Sequence, residues 1–238
     1  MTTLLLAAGV FVLAGVVQAL SGFGSALVSV PLLAVVLGPA EAIVLSVLVA
    51  VVLSSWAAVR EREHVEVRPA LRLLLWALPG LPLGLLVLRL ASEHTVTLLV
   101  GGVVIVAALL LGAGLRLPEN RATHAGAGIV SGVLLTSTGL NGPPLVLALA
   151  GRSGPRATRA TLQAVFAGQD LLALVGFALT GLLAPSLAPY AVAGIIGIRV
   201  GWALGGVAFN RLSPGGFDRV VRVVLLLSGL SAVASAQR

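Results

Sequence analysis

The chain has 238 residues, of which 58% are apolar and only 10% charged, and its mean hydropathy is +1.12. A soluble domain of this length carries charge on nearer a quarter of its residues, so this composition excludes one and points to lipid as the solvent. Net charge is +7, with fifteen basic residues that are all arginine, and there is no cysteine, which excludes disulfides, thiolate metal sites and cysteine nucleophiles.

Continuous apolar runs such as 42–59 and 95–115 lack the alternation of a barrel strand, so backbone satisfaction in lipid demands helices. The breaks at Gly/Pro pairs and charge clusters predict ten helical segments: 4–20, 23–37, 41–59, 69–90, 95–115, 124–138, 142–150, 159–183, 187–209 and 217–236. The first has no basic n-region before it and reads as a retained helix rather than a signal peptide. Pro79 and Pro82 predict a kink in the fourth. Apart from Arg199, the arginines fall in or beside the short connections, where the positive-inside rule expects them, so the high pI does not indicate nucleic acid. His64, His94 and His124 have no metal-ligand spacing and are expected at the surface.

The two halves resemble each other. GVVQALSGFGSAL from Gly15 aligns with GVLLTSTGLNGPP from Gly132, and Gly38-Pro39 aligns with Gly154-Pro155. Matching loops carry opposite arginine bias. Four arginines in 60–72 face none in 184–189, and none in 38–41 face three in 151–159. By the positive-inside rule the repeats are inverted. The expected architecture is an all-α polytopic membrane protein of about eight spans, each repeat opening with a re-entrant or broken hairpin. Its parts are a first repeat over 1–115, a cytoplasmic linker over 116–123 and a second repeat over 124–238. Both termini are placed outside. Segment 142–150 is too short to cross, so 124–150 is read as a hairpin that stops inside the membrane.

Three stretches carry a family resemblance: SGFGSALVSVPLL near the start, SGVLLTSTGLNGPPLVLAL with RATRATLQAVFAGQDLLAL in the second half, and RLSPGGFDRVVRVVLLLSGL at the end. Together they resemble the sulfite exporter (TauE/SafE) family of permeases. The resemblance implies a membrane permease for sulfite, an organosulfonate or a related sulfur-containing or organic anion. Asn141 departs from the pattern, since many relatives carry glycine there.

The hairpin tips are the candidate anion site. Glycine allows close backbone approach, and Ser, Thr and Asn side chains add donors. Helices starting after each tip aim their N-termini at the midplane. The candidates are Ser21, Gly22, Gly24, Ser25, Thr138, Asn141 and Gly142; the competing reading is that these small residues serve helix packing. Asp170 and Arg199 are both read as charges at mid-depth in neighbouring helices. Arg199 is a candidate anion contact and Asp170 a candidate proton-coupling residue, with a structural ion pair as the alternative. Gln18, Gln163 and Gln169 are read as interhelical hydrogen-bonding residues. The sequence holds no nucleophile–base pair, metal cluster or cofactor motif, which argues against an enzyme and implies no cofactor. The expected function is a secondary transporter in the cytoplasmic membrane working by alternating access, with proton coupling as one option. An anion channel of the same architecture is the alternative. The expected partners are a small anion and the bilayer, no nucleic acid, and, as an open option, a second copy of the chain.

Overall fold

A computed structural model describes residues 2–113, 117–149 and 154–209. All regular structure among them is helical. In chain order the helices are α1 (Thr2–Ser21), α2 (Ser25–Leu37), α3 (Pro39–Arg60), α4 (Val67–Ala77), α5 (Gly80–Leu90), α6 (Glu93–Gly112), α7 (Arg121–Thr138), α8 (Gly142–Leu149), α9 (Pro155–Leu179) and α10 (Ala188–Phe209). The expected segment 217–236 and the loop 211–222 lie outside the described residues.

Among the described residues, five helices are long and apolar enough to cross a membrane, and the α4–α5 pair makes a sixth if counted as one span. The expected segment 217–236 is not in this count, since it lies outside the described residues, and the short helices of the two hairpins do not add to it. The 13 residues of α2 rise about 20 Å and the 8 of α8 about 12 Å, each short of a 30 Å hydrocarbon core. The expected single segment 69–90 is two helices bent by 43° at Leu78-Pro79. Proline there removes a backbone donor and clashes with the preceding turn. Lipid is also written on the surface: Leu83, Leu86, Leu90, Leu109, Leu179 and Ile196 are all exposed, which water would not tolerate as contiguous faces.

Helix starts follow their caps. Asn120 caps α7, its side chain accepting the Thr123 N–H at 2.7 Å, so that helix begins three residues before the expected position. His124 is thereby carried into the fourth position of α7 and is buried, contrary to its expected surface place; its Nδ1 lies 3.2 Å from the Asn120 carbonyl. Pro155 sits at the first position of α9, where its fixed φ and missing donor are tolerated. Arg156 and Arg159, read from sequence as loop residues, therefore lie on the first turns of a helix.

Packing is organised by glycine. α1 packs chiefly on α10, and α7 on α4 and α5. Gly197, Gly201 and Gly205 form a ridge on α10, and a β-carbon on any of them would strike the backbone of Ala8, Val12 or Val16 on α1. Gly15 of α1 in return meets Ile198 and Trp202 of α10. The second interface repeats the device, with Gly128 and Gly132 of α7 against α4, and Gly80 and Gly84 of α5 against α7. Without a hydrophobic drive between helices in lipid, this close approach of backbones supplies the dispersion contact. α3 and α9 pack on each other at the centre, and the buried core, including Ile43, Leu45, Leu53, Leu140, Leu145 and Phe177, gathers around them.

Candidate functional site

Both hairpin tips turn on a left-handed glycine at the same aligned position. α1 ends at Ser21 and Gly22 takes φ 77°; α7 ends at Thr138 and Gly139 takes φ 76°. Any other residue there would be strained. In the first tip, Ser21 Oγ donates to the Val17 carbonyl at 2.8 Å and also contacts the Phe23 carbonyl. Gln18 Oε1 accepts the Ser25 N–H at 3.2 Å, and Gln163 of α9 donates to the Gly22 carbonyl at 2.8 Å. The two glutamines are joined to each other at 3.3 Å. In the second tip, Gly139 N–H reaches the Leu135 carbonyl and Leu140 N–H the Leu134 carbonyl, closing the helix end. Gln169 of α9 accepts from Asn141 Nδ2 at 3.0 Å and from Ser131 Oγ at 2.9 Å. Its own Nε2 is the one buried side-chain donor without a partner among the described residues. One helix thus fastens both tips.

The tips meet. Gly142 lies so close to Phe23 that an added β-carbon would stand 3.1 Å from its ring. Beside this contact is a cavity of about 20 Å³, room for about one water molecule. Gly24, Ser25, Asn141, Gly142 and Asp170 line it, with Ser46 of α3. Ser21, Gly22, Thr138 and Arg199 do not line it. Ser21 and Thr138 spend their hydroxyls on their own helices, and Gly22 lies under the Arg159 side chain.

The two tips offer different chemistry. Gly24 precedes α2 and has no side chain to cap it, so the amides of Ala26 and Leu27 in its first turn have no intrahelical acceptor. Both residues line the cavity. The first turn of α8 holds Pro143 and Pro144, which have no N–H to give. The second tip contributes Asn141 and a close surface, and the first contributes backbone donors.

Asp170 and Arg199 are not partners. Asp170 is 3% exposed and accepts from Ser54 Oγ of α3 at 3.1 Å. Arg199 is exposed and stands over the Trp56 ring at 4.5 Å, at the edge of a wide cleft. The alternative of an ion pair at mid-depth is not seen in this geometry: similar height along two helices does not place two side chains on facing sides. A charged residue in a span faces a cavity when one is available.

A family model described as sulfite exporter TauE/SafE matches residues 6–232, nearly the whole chain. The chain belongs to the sulfite exporter TauE/SafE family. No curated protein and no solved structure gives a significant match. As a TauE/SafE protein it is a multi-pass membrane transporter of the sulfite-exporter type and not an enzyme.

Several residues of this TauE/SafE chain's central region were missed by sequence reasoning. Ser46 lines the cavity and accepts from Ser29 of α2 at 2.9 Å. Ser54 holds Asp170. The available signal was a serine repeated at a spacing of eight along α3, close to two helical turns and so on one face.

Proposed function

We propose that the protein is a secondary transporter of the cytoplasmic membrane that moves sulfite, an organosulfonate or a related small anion by alternating access. The observation that carries this reading is the meeting of two broken hairpins around one small cavity. Discontinuous helices that aim uncapped N–H groups at an anion are a recurrent transporter device. Here the first-turn amides of α2 and the Asn141 side chain are the donors, and Gly24 and Gly142 permit the approach. An anion of four heavy atoms is larger than the present cavity, so it is held only when the tips part.

The inverted-repeat arrangement, with halves over 1–115 and 124–238, belongs to this proposal. Three observations support it: the reversed arginine bias of matching loops, the paired left-handed glycines at Gly22 and Gly139, and the reciprocal packing of α1 on α10 and of α7 on α4 and α5. The arginine-rich connections 60–72 and 151–159 then face the cytoplasm.

Asp170 is the coupling residue of this scheme. It is the one carboxylate lining the cavity among the described residues. Like charges at that range repel strongly outside bulk water, so an anion is accepted together with a proton on Asp170. One proton per monovalent anion makes the cycle electroneutral. Purified protein in liposomes, offered sulfite, thiosulfate, sulfoacetate and small carboxylates with and without a pH gradient, tests the reading. Saturable flux driven by the pH gradient is expected. Flux linear in concentration to high levels indicates a channel, and no flux of any of these anions removes the proposal.

A further inference from the structure

On the side of the first tip formed by the ends of α3 and α10 and the start of α9 is a second, larger cavity. It has a volume of about 980 Å³, and its lining includes Arg60, Arg156, Arg159 and Arg199 with one carboxylate, Glu61, among the described residues. Two tryptophans set the guanidinium positions. Trp56 and Trp202 meet edge to face, with centroids 6.2 Å apart. Arg60 stands 5.3 Å and Arg199 4.5 Å from the Trp56 centroid, and Arg159 stands 5.6 Å from that of Trp202. A cation–π contact holds a guanidinium without using its N–H donors as hydrogen bonds, which leaves them for an oxyanion that a planar fork suits well. Neither Arg60 nor Arg199 has a carboxylate partner among the described residues.

Arg159 is differently placed. It pairs with Glu61, its Nε reaching Oε2 at 3.3 Å. Its Nη1 donates to the Ala19 carbonyl in the last turn of α1 at 3.3 Å, and its stem lies over Gly22. The residue that greets the cleft therefore also clamps the first tip.

We propose that the cleft is a second oxyanion site, separate from the cavity between the tips, in which a sulfite- or sulfonate-type group binds Arg60 and Arg199 and competes with the Glu61 carboxylate for Arg159. Glu61 occupies the place of the anion when none is bound. Exchange of Glu61 for the anion loosens the clamp on Ala19 and Gly22, so filling the cleft prepares the first tip to move. The choice of sulfite-type ligand rests on the transport reading; the existence of the site does not.

The test is binding, not flux. Trp56 and Trp202 are the reporters, in a Trp76→Phe background, with protein in phosphatidylcholine nanodiscs titrated with sodium sulfite or methanesulfonate at constant ionic strength. A saturable change in tryptophan fluorescence is expected. It should be lost in Arg60→Gln/Arg199→Gln and kept in Asn141→Ala at the tip. Glu61→Gln should bind about two- to fivefold more tightly, the range that an ion pair near the surface is worth. Arg156→Gln, an exposed change on the same cleft, covers the case in which the double variant fails to fold, and should weaken binding by itself. No saturable change, or one that survives the arginine variants, or one lost in Asn141→Ala, overturns the proposal. So does a response that appears only when phosphatidylglycerol is added without free anion, since the site would then hold a lipid headgroup. Absent flux with intact cleft binding would count against the transport reading alone.

Discussion

Ser54 donates a hydrogen bond to Asp170 at 3.1 Å, and the two residues occupy matching places in the two halves when Gly38-Pro39 is aligned with Gly154-Pro155. A serine and an acid thus face each other across the contact between α3 and α9, where a strictly repeated sequence would place the same residue twice. The acid has one strong side-chain partner and a cavity beside it. Asp170→Asn keeps the shape of the group and its capacity to accept from Ser54. It is expected to preserve anion exchange between loaded liposomes while abolishing the effect of a pH gradient on net uptake. Pump-like accumulation by this variant would remove Asp170 from coupling.

Because Asp170 and Arg199 have separate partners, their substitutions should act independently. Effects of Asp170→Asn and Arg199→Gln on thermal stability are expected to add within about 0.5 kcal/mol. A double variant more stable than either single would show that the two charges do pair.

The contact between Phe23 and Gly142 predicts an effect of size at the tips. Gly142→Val should abolish transport with protein still in the membrane, because the branched side chain meets the Phe23 ring. Trimming that ring in a Phe23→Ala/Gly142→Ala double should restore part of the flux. Gly22→Ala is different: its φ of 77° puts a strained residue there at about 1–3 kcal/mol, and its defect should appear in melting temperature as well as flux. Normal transport by Gly142→Val would leave the tips without a role beyond packing.

Glycine ridges give a stability prediction with an internal control. Gly201→Val and Gly132→Val force backbone apart and should each destabilise by about 1–3 kcal/mol or more, read as lower melting temperature in detergent. Gly102 has open space where a β-carbon would stand. Gly102→Ala should therefore be neutral or stabilising by up to about 1 kcal/mol, the helix-propensity difference.

Topology is tested by introduced cysteines, since the chain has none. Arg62→Cys and Arg156→Cys should both be labelled from the cytoplasmic face. Labelling from opposite faces would be incompatible with inverted repeats.

The helices, the Pro79 bend and the two tips could be read from sequence because glycine, proline and apolar run length act locally. Arg199 could not. Sequence gives its depth in a helix, but which side that helix turns to the cleft depends on α3 and Trp56. His124 was misplaced for a related reason, since the cap at Asn120 starts α7 earlier and rotates the histidine inward. The Gly197, Gly201, Gly205 spacing was visible throughout; its partner on α1 was not, because a small-residue ridge does not name the surface it meets. The loss of amide donors at Pro143 and Pro144 was also visible and makes the two tips chemically unequal despite their aligned glycines.

The ridges that join α1 to α10, and α7 to α4 and α5, each bring helices of one half against helices of the other. No cushion of side chains separates those backbones, so each pair is poorly suited to sliding and well suited to travelling as a block. The rigid blocks are then mixed, and under the alternating-access proposal the boundary along which they would move does not coincide with the middle of the sequence. Two fragments cut near that middle and produced together should find each other in the bilayer and regain a melting transition. Either fragment alone would leave its glycine grooves facing lipid, with no surface of its own to close them.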